Sequence, residues 1–292
     1  MTFPLNLQTL SDHPLPPLPL DGDKEDRGAV LVVGGKTDMA GAAILAGVAA
    51  LRVGAGKLQI RCEPSGLAAL SVAVPEARIL VSSSGASGAR RLAPEAARCS
   101  ALVIGPGMES RPREQRFARG LLSACDAPAV VDAGALPDPD SAEAFAKVAR
   151  GRVILTPHAG EMAGMLGITK TEVRAEPLDA ARKAAAMYSA VILMKGVTTF
   201  IVSPDGTAWR HEGGASGLGT SGSGDVLAGA IGGLIARGSA PVTAALWGVV
   251  LHARAGQALA EAGAPLGFLA REIPGCFPAL LARLSDRAET SR

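Results

Sequence analysis

The stretch AVLVVGGKTDMAGAAILAGVAALRVGAGKLQIR, residues 29–61, decides the fold. Ala29 to Gly34 is a short aliphatic run closed by glycine, which predicts a buried strand. Ala40 to Gly56 is rich in Ala and Leu and too long for a strand. It predicts a helix that ends at Gly54 or Gly56, where helix C-termini favour glycine. Lys57 to Arg61 returns to strand character. Strand, helix, strand implies parallel pairing, because the crossover helix lets the second strand run in the same direction as the first.

The same alternation continues along the chain. ALVIGPG (Ala101 to Gly107), PAVVDAGAL (Pro128 to Leu136), RVILTPHAGE (Arg152 to Glu161) and AVILMKG (Ala190 to Gly196) are each an apolar run entering a turn. The expected fold is α/β, with a mostly parallel central sheet and helices on both faces. Residues 29–285 read as a single domain. Residues 1–28, Pro-rich and then charged, read as an N-terminal arm. In such sheets ligands bind beyond the carboxyl ends of the strands. Asp132, His158, Glu161, Lys195 and Asp225 follow strands or open helices there, so they are the candidate site residues.

Composition narrows the function. Lys plus Arg is 29 against 27 for Asp plus Glu, so no charge excess favours nucleic acid or a membrane surface. Aromatic residues make up 3%, too few for base-stacking platforms. Cys62, Cys99, Cys125 and Cys276 show no CxxC pair or Cys/His cluster, which predicts free thiols in a reducing compartment. The first twenty residues lack a basic region and a continuous apolar core, so no signal peptide is expected. The Gly- and Ala-rich helices suggest no membrane span. The expected location is the cytoplasm.

Four motifs bear on the chemistry, one of them by exclusion. VVGGKT (Val32 to Thr37) is not a nucleotide P-loop, because Val30 stands where that pattern needs glycine. GTSGSGDVLAGAIGGLIARG (Gly219 to Gly238) is stronger: its glycines let the backbone approach a ligand, and the helix expected to start near Asp225 or Val226 offers free amides and a positive dipole end to an anion. Asp225 also suits a helix N-cap. LMKGVTTFIVSPDG (Leu193 to Gly206) reads as strand, turn, strand, with Lys195 leaving a buried strand at the ligand edge. In LTPHAGEM (Leu155 to Met162), His158 and Glu161 share one helix face, either as a catalytic or substrate-binding pair or as a cap. One His and one Glu are too few for a metal site.

Together these segments resemble the ribokinase-like superfamily and, more closely, the ADP- or ATP-dependent NAD(P)H-hydrate dehydratases. The resemblance rests on GAA at Gly41 to Ala43, GPG at Gly105 to Gly107, TPHAGE at Thr156 to Glu161, KGVTT at Lys195 to Thr199 and SGSGD at Ser221 to Asp225, in family order. Ala159 replaces the usual second proline, and Ser223 replaces the usual threonine. The family's polar run before the last motif is HEGGASG here.

The resemblance implies a ribokinase-like three-layer sandwich that restores NADH or NADPH from the (S) hydrate at the expense of ADP or ATP. It implies Mg²⁺ on the nucleotide phosphates, with no protein residue assigned as its ligand. Asp225 is then the general base, and the amides of Ser223, Gly224 and Asp225 stabilise the phosphoryl group. Lys195, Gly196, Val197, Thr198, Thr199 and Gly224 would bind the nucleotide. Ala42, Gly105, Gly107, His158 and Asp225 would bind the hydrate. A homo-oligomer, in particular a homotetramer, is implied too. Two other readings share the Asp225 turn: a superfamily kinase acting on a sugar or vitamin alcohol, and a non-catalytic nucleotide-binding regulator.

Overall fold

In the computed structural model the strands are β1 (Thr2–Pro4), β2 (Ala29–Val33), β3 (Lys57–Cys62), β4 (Ala77–Val81), β5 (Ala101–Ile104), β6 (Ala129–Val131), β7 (Val153–Leu155), β8 (Val191–Met194), β9 (Thr198–Val202) and β10 (Ala208–Glu212). The structure describes residues 1–17, 21–35, 39–83 and 85–290. Lys36 and Thr37 of the rejected P-loop lie outside them.

All ten strands form one sheet, in the order β1-β10-β9-β8-β7-β6-β5-β2-β3-β4. From β4 across to β8 the pairs are parallel, as the strand-helix alternation implies. β9 and β10 fold back antiparallel, because only short turns join β8 to β9 and β9 to β10. The chain steps outward from β2 to β3 and β4, then returns to place β5 on the other side of β2. That reversal opens a crevice at the carboxyl ends of β2 and β5, where α/β sheets bind ligands.

Alternate strand residues build two cores. Val30, Val32, Val103, Val130, Ile154, Val191 and Leu193 pack with the helices Ala40–Arg52, Ser223–Ala236, Pro241–Ala262 and Ile273–Thr290. Leu31, Val33, Leu102, Ile104, Val131, Val153, Leu155 and Ile192 pack with helices such as Pro112–Ala124, Ala159–Leu166 and Pro177–Tyr188. Strands buried on both faces are why these runs are continuously apolar and do not alternate.

Two features differ from the sequence reading. ARILV, unassigned there, is β4, an edge strand none of whose residues is fully buried. The arm expected over residues 1–28 docks on the sheet: Thr2–Pro4 pairs with β10, Leu10 is fully buried, and the Trp247 indole donates to the His13 carbonyl at 2.8 Å. Among the described residues no helix is long and apolar enough to cross a membrane. The four cysteines are free.

The helix Ser223–Ala236 lies directly against the helix Ala40–Arg52. A Cβ at Gly229 would sit 2.0 Å from the Ala46 carbonyl oxygen, and one at Gly233 would sit 2.5 Å from that of Ala50. Four residues apart, the two glycines share one face and let the backbones touch. This contact fixes the starts of both helices beside the crevice.

Candidate active site

The helix carrying Asp225 begins two residues earlier than expected. Gly222 is its N-cap, in the left-handed region at φ 89°, and Ser223 is the first helical residue. Asp225 is therefore in the first turn, and no side chain caps the helix. The simple capping role for Asp225 is thereby removed. Of the three amides expected to face a phosphate, that of Ser223 points to the Thr220 carbonyl at 3.3 Å. The amides of Gly224 and Asp225 have no backbone acceptor outside the helix among the described residues, so they remain available to an anion.

Asp225 faces a compact charge cluster built from three strand ends. Asp132 follows β6 and is 2% exposed. Its Oδ1 accepts from Thr156 Oγ1 at 2.7 Å and from Lys195 Nζ at 2.9 Å. Thr156 follows β7 and Lys195 follows β8, so the parallel register delivers all three to one point. Glu161 Oε2 lies 3.8 Å from Lys195 Nζ. Burial disfavours the Lys195 ammonium, but Asp132, Glu161 and Asp225 outweigh it and hold its pKa above the ordinary value. For Asp225 burial comes first and the charges of Asp132 and Glu161 add to it. Lys195 opposes them, and the net pKa is about 6. A carboxyl poised near neutrality suits proton acceptance at physiological pH.

His158 resolves the choice between cap and site residue by doing the first while keeping the second open. Its Nδ1 accepts from the amides of Gly160 at 3.0 Å and Glu161 at 3.1 Å. Glu161 Oε2 accepts from the His158 amide at 2.8 Å, completing a reciprocal capping box for the helix Ala159–Leu166. An Nδ1 that accepts two amide protons leaves the neutral ring's proton on Nε2. The ring is exposed, and its Nε2 lies 3.6 Å from Glu161 Oε1.

A cavity of about 800 Å³ opens beside this cluster. Lys195, Gly196, Val197, Thr199, Ser223 and Gly224 line it; Thr198 does not. Opposite them, Leu218, Leu227, Val249 and Ala253 form an apolar wall. A second cavity of about 480 Å³, lined among others by Met108, Gly134 and Glu161, shares His158 with the first. Ala42 and Gly107 meet at the crevice: a Cβ at Gly107 would lie 2.9 Å from that of Ala42. Gly105 is buried, and the space of its missing side chain holds the Asp132 carbonyl. It therefore shapes the turn and supports Asp132.

Sequence reasoning missed His252 and underweighted Asp132. His252, on the helix Pro241–Ala262, lies 2.9 Å from Ser223 Oγ. The signal was a lone imidazole in the apolar run LWGVVLHA. Asp132 was one of several polar residues after strands, and only its burial shows it to be the hub.

The fold and the charged helix start define an α/β protein of the ribokinase-like class. A ribokinase-like superfamily protein from Enterococcus faecalis superposes with a TM-score of 0.81 at 22% identity, covering 97% of this chain and 96% of that one. Within the class, the family model described as NAD(P)H-hydrate dehydratase matches residues 30–277, and the chain belongs to that family. It is 46% identical to the ADP-dependent (S)-NAD(P)H-hydrate dehydratase of Xanthomonas campestris, over 92% of this chain and 93% of the relative. The crystal structure of the ADP/ATP-dependent NAD(P)H-hydrate dehydratase from Bacillus subtilis, co-crystallized with ATP/Mg²⁺, matches with a TM-score of 0.83 at 29% identity, over 97% and 99% of the two chains.

Proposed function

We propose that this protein uses ADP or ATP to dehydrate the (S) hydrate of NADH or NADPH, restoring the reduced dinucleotide and releasing phosphate. The observation that carries the reading is the meeting of two cavities at His158, beside a helix start that offers free amides and a near-neutral carboxylate. Two cavities suit two large substrates. A family member 46% identical is named for ADP, which favours ADP as the co-substrate.

The nucleotide lies in the larger cavity, its base against the apolar wall and its phosphates along Lys195, Gly196, Val197, Thr199 and Gly224. The hydrate contacts Ala42, Gly107, His158 and Asp225, with Gly105 holding the turn beneath. Asp225 takes the proton of the ring hydroxyl as its oxygen bonds to the terminal phosphorus and the bridge to the nucleotide breaks. The amides of Gly224 and Asp225, with the Ser223 hydroxyl, stabilise the charge on the transferring group. Phosphate then departs with the electrons of its carbon–oxygen bond. A proton lost from the neighbouring ring carbon leaves the pair that restores the double bond.

Mg²⁺ needs only one or two carboxylates when phosphates and water supply the rest. The residues fit that mode: among the described residues no set of three or more His, Cys, Asp or Glu could cage a metal, while Glu161 stands partly exposed beside Lys195. Glu161 would hold the ion, which neutralises phosphate charge when bound.

We further propose that residues 29–285 act as one domain, that the protein is cytoplasmic, and that it is a homo-oligomer, with a homotetramer as the state to test by sedimentation. Protein, hydrate, Mg²⁺ and either nucleotide should regenerate the reduced-nicotinamide absorbance with release of free phosphate. Accumulation of a phosphorylated alcohol without that absorbance would identify a kinase instead.

A further inference from the structure

The helix Pro241–Ala262 is almost wholly apolar along the face it buries, with Val249, Leu251, Ala253 and Ala255 packed in the core. One residue of that stretch, His252, is an imidazole, and both of its hydrogen-bond contacts go to a single residue. Its Nε2 lies 3.1 Å from the Ser223 carbonyl oxygen and 2.9 Å from Ser223 Oγ. A carbonyl oxygen only accepts, so Nε2 carries the ring proton. Burial drives the His252 pKa down to about 4, so the ring is neutral at pH 7. The same N–H is then shared with Ser223 Oγ, which is an acceptor in that contact. The hydroxyl's own proton has to be donated elsewhere. Ser223 is 4% exposed and lines the larger cavity, next to the free amide of Gly224.

We propose that His252 is a positioning residue: it holds the Ser223 hydroxyl with its proton aimed into the cavity, as a third donor to the transferring phosphoryl group. The hydroxyl thereby replaces the Ser223 amide, which Thr220 already occupies. A half-buried imidazole in an apolar helix face needs a partner whatever its role. The partner is Ser223, whose hydroxyl is the proposed donor; His252 itself lines the larger cavity, so coupled losses at the two positions are what separate action through Ser223 from direct contact. The inference rests on the phosphoryl-transfer reading above, but not on the identity of the alcohol.

The test is a double-mutant cycle of His252→Ala and Ser223→Ala. Each single variant should lower kcat by about tenfold, the rate equivalent of one hydrogen bond to a charged group. The nucleotide KM should change much less. The double variant should fall within about twofold of the worse single one, because the two losses are the same loss. His252→Gln, whose amide N–H can reach Ser223, should recover most of the rate. The same cycle read on the affinity for Mg·AMP with aluminium fluoride where ADP is the donor, or Mg·ADP with aluminium fluoride where ATP is, mimics the transferring phosphoryl group and needs no alcohol. Coupling there supports the assignment even where hydrate turnover is absent, a result that would count against the substrate reading alone. Additive losses in the cycle, or His252→Ala at the parent rate with parent affinity for the fluoride complex, would overturn it. Should His252→Ala fail to fold, His252→Gln and His252→Asn carry the comparison. Only the longer amide reaches as far as Nε2, so equal rates for the two would sink the proposal.

Discussion

Two glycine motifs look alike in the sequence and do opposite things in the molecule. In SGSGD, a Cβ added at Gly224 would meet only Lys195 Nζ, at 3.4 Å, the far end of a flexible side chain. In GPG, a Cβ at Gly105 would lie 1.8 Å from the Asp132 carbonyl oxygen, and one at Gly107 would lie 2.7 Å from that of Met39. At Gly224 the first motif leaves room for a ligand, whereas at Gly105 the second is filled by the protein's own backbone. A glycine-rich turn therefore marks close approach without saying what approaches.

The sharpest way to break that contrast is alanine at each site. Gly105 has φ 121° and no space, so Gly105→Ala should lower stability by more than the ~1–3 kcal/mol typical of overpacking and yield little soluble protein. Gly224→Ala should fold with a melting temperature within a few degrees of the parent while weakening nucleotide binding by calorimetry. A stable Gly105→Ala protein would end the distinction.

Next in size is Asp225 at the open motif. Asp225→Asn should lower turnover by about 10²- to 10⁴-fold, because the amide cannot take the proton. Its stability should not fall, since Asp225 caps nothing. The raised pKa gives a sign to check. Unfolded Asp ionises above about pH 4, whereas folded Asp225 stays protonated up to about pH 6. The charged form therefore weakens the parent increasingly between those values and by a constant amount above them. Asp225→Asn should melt no lower than the parent near pH 4, and higher above pH 6. The parent's kcat/KM should drop as pH falls through about 6. A stable variant with near-parent activity would return Asp225 to a structural role.

Lys195 joins the two motifs, because it faces Gly224 and pairs with the Asp132 whose carbonyl fills Gly105. Lys195→Ala should raise the nucleotide KM more than the hydrate KM. It should also lower the melting temperature, since Asp132 keeps only Thr156. Breaking a buried pair costs about 3–5 kcal/mol, and the partial exposure of Lys195 puts it at the low end. Asp132→Asn in the same protein should restore stability but not nucleotide affinity. An unchanged nucleotide KM would remove Lys195 from the phosphate site.

The smallest effect belongs to His158, on the wall between the cavities. His158→Ala should lose about 1 kcal/mol of stability with the cap. It should bind ADP or ATP normally while losing hydrate affinity. His158→Asn should regain the cap without the affinity, because Asn caps well but cannot place a donor where Nε2 stands. Loss of nucleotide binding with hydrate binding kept would put His158 on the other side of the site.

The sequence by itself determined the parallel α/β sheet, its central strands and the place of each motif after a strand. Buried strands must be apolar on both faces, and helices must carry their own period, so both are written locally. It also pointed to Asp225, Lys195 and His158, because polar residues that follow buried strands or open helices have little else to do. Tertiary structure decided what local pattern does not encode. The edge strand β4 and the docked arm depend on partners far away in the chain. The helix start at Ser223, and not at Asp225, was set by Gly222 adopting a left-handed conformation against Leu45. Asp132 became the hub because parallel register brought distant strand ends together, and His252 became the partner of Ser223 because the helix Pro241–Ala262 packs on Ser223–Ala236, with Gly248 against Ile231. Such distances are a property of packing, and no single stretch of the chain carries them.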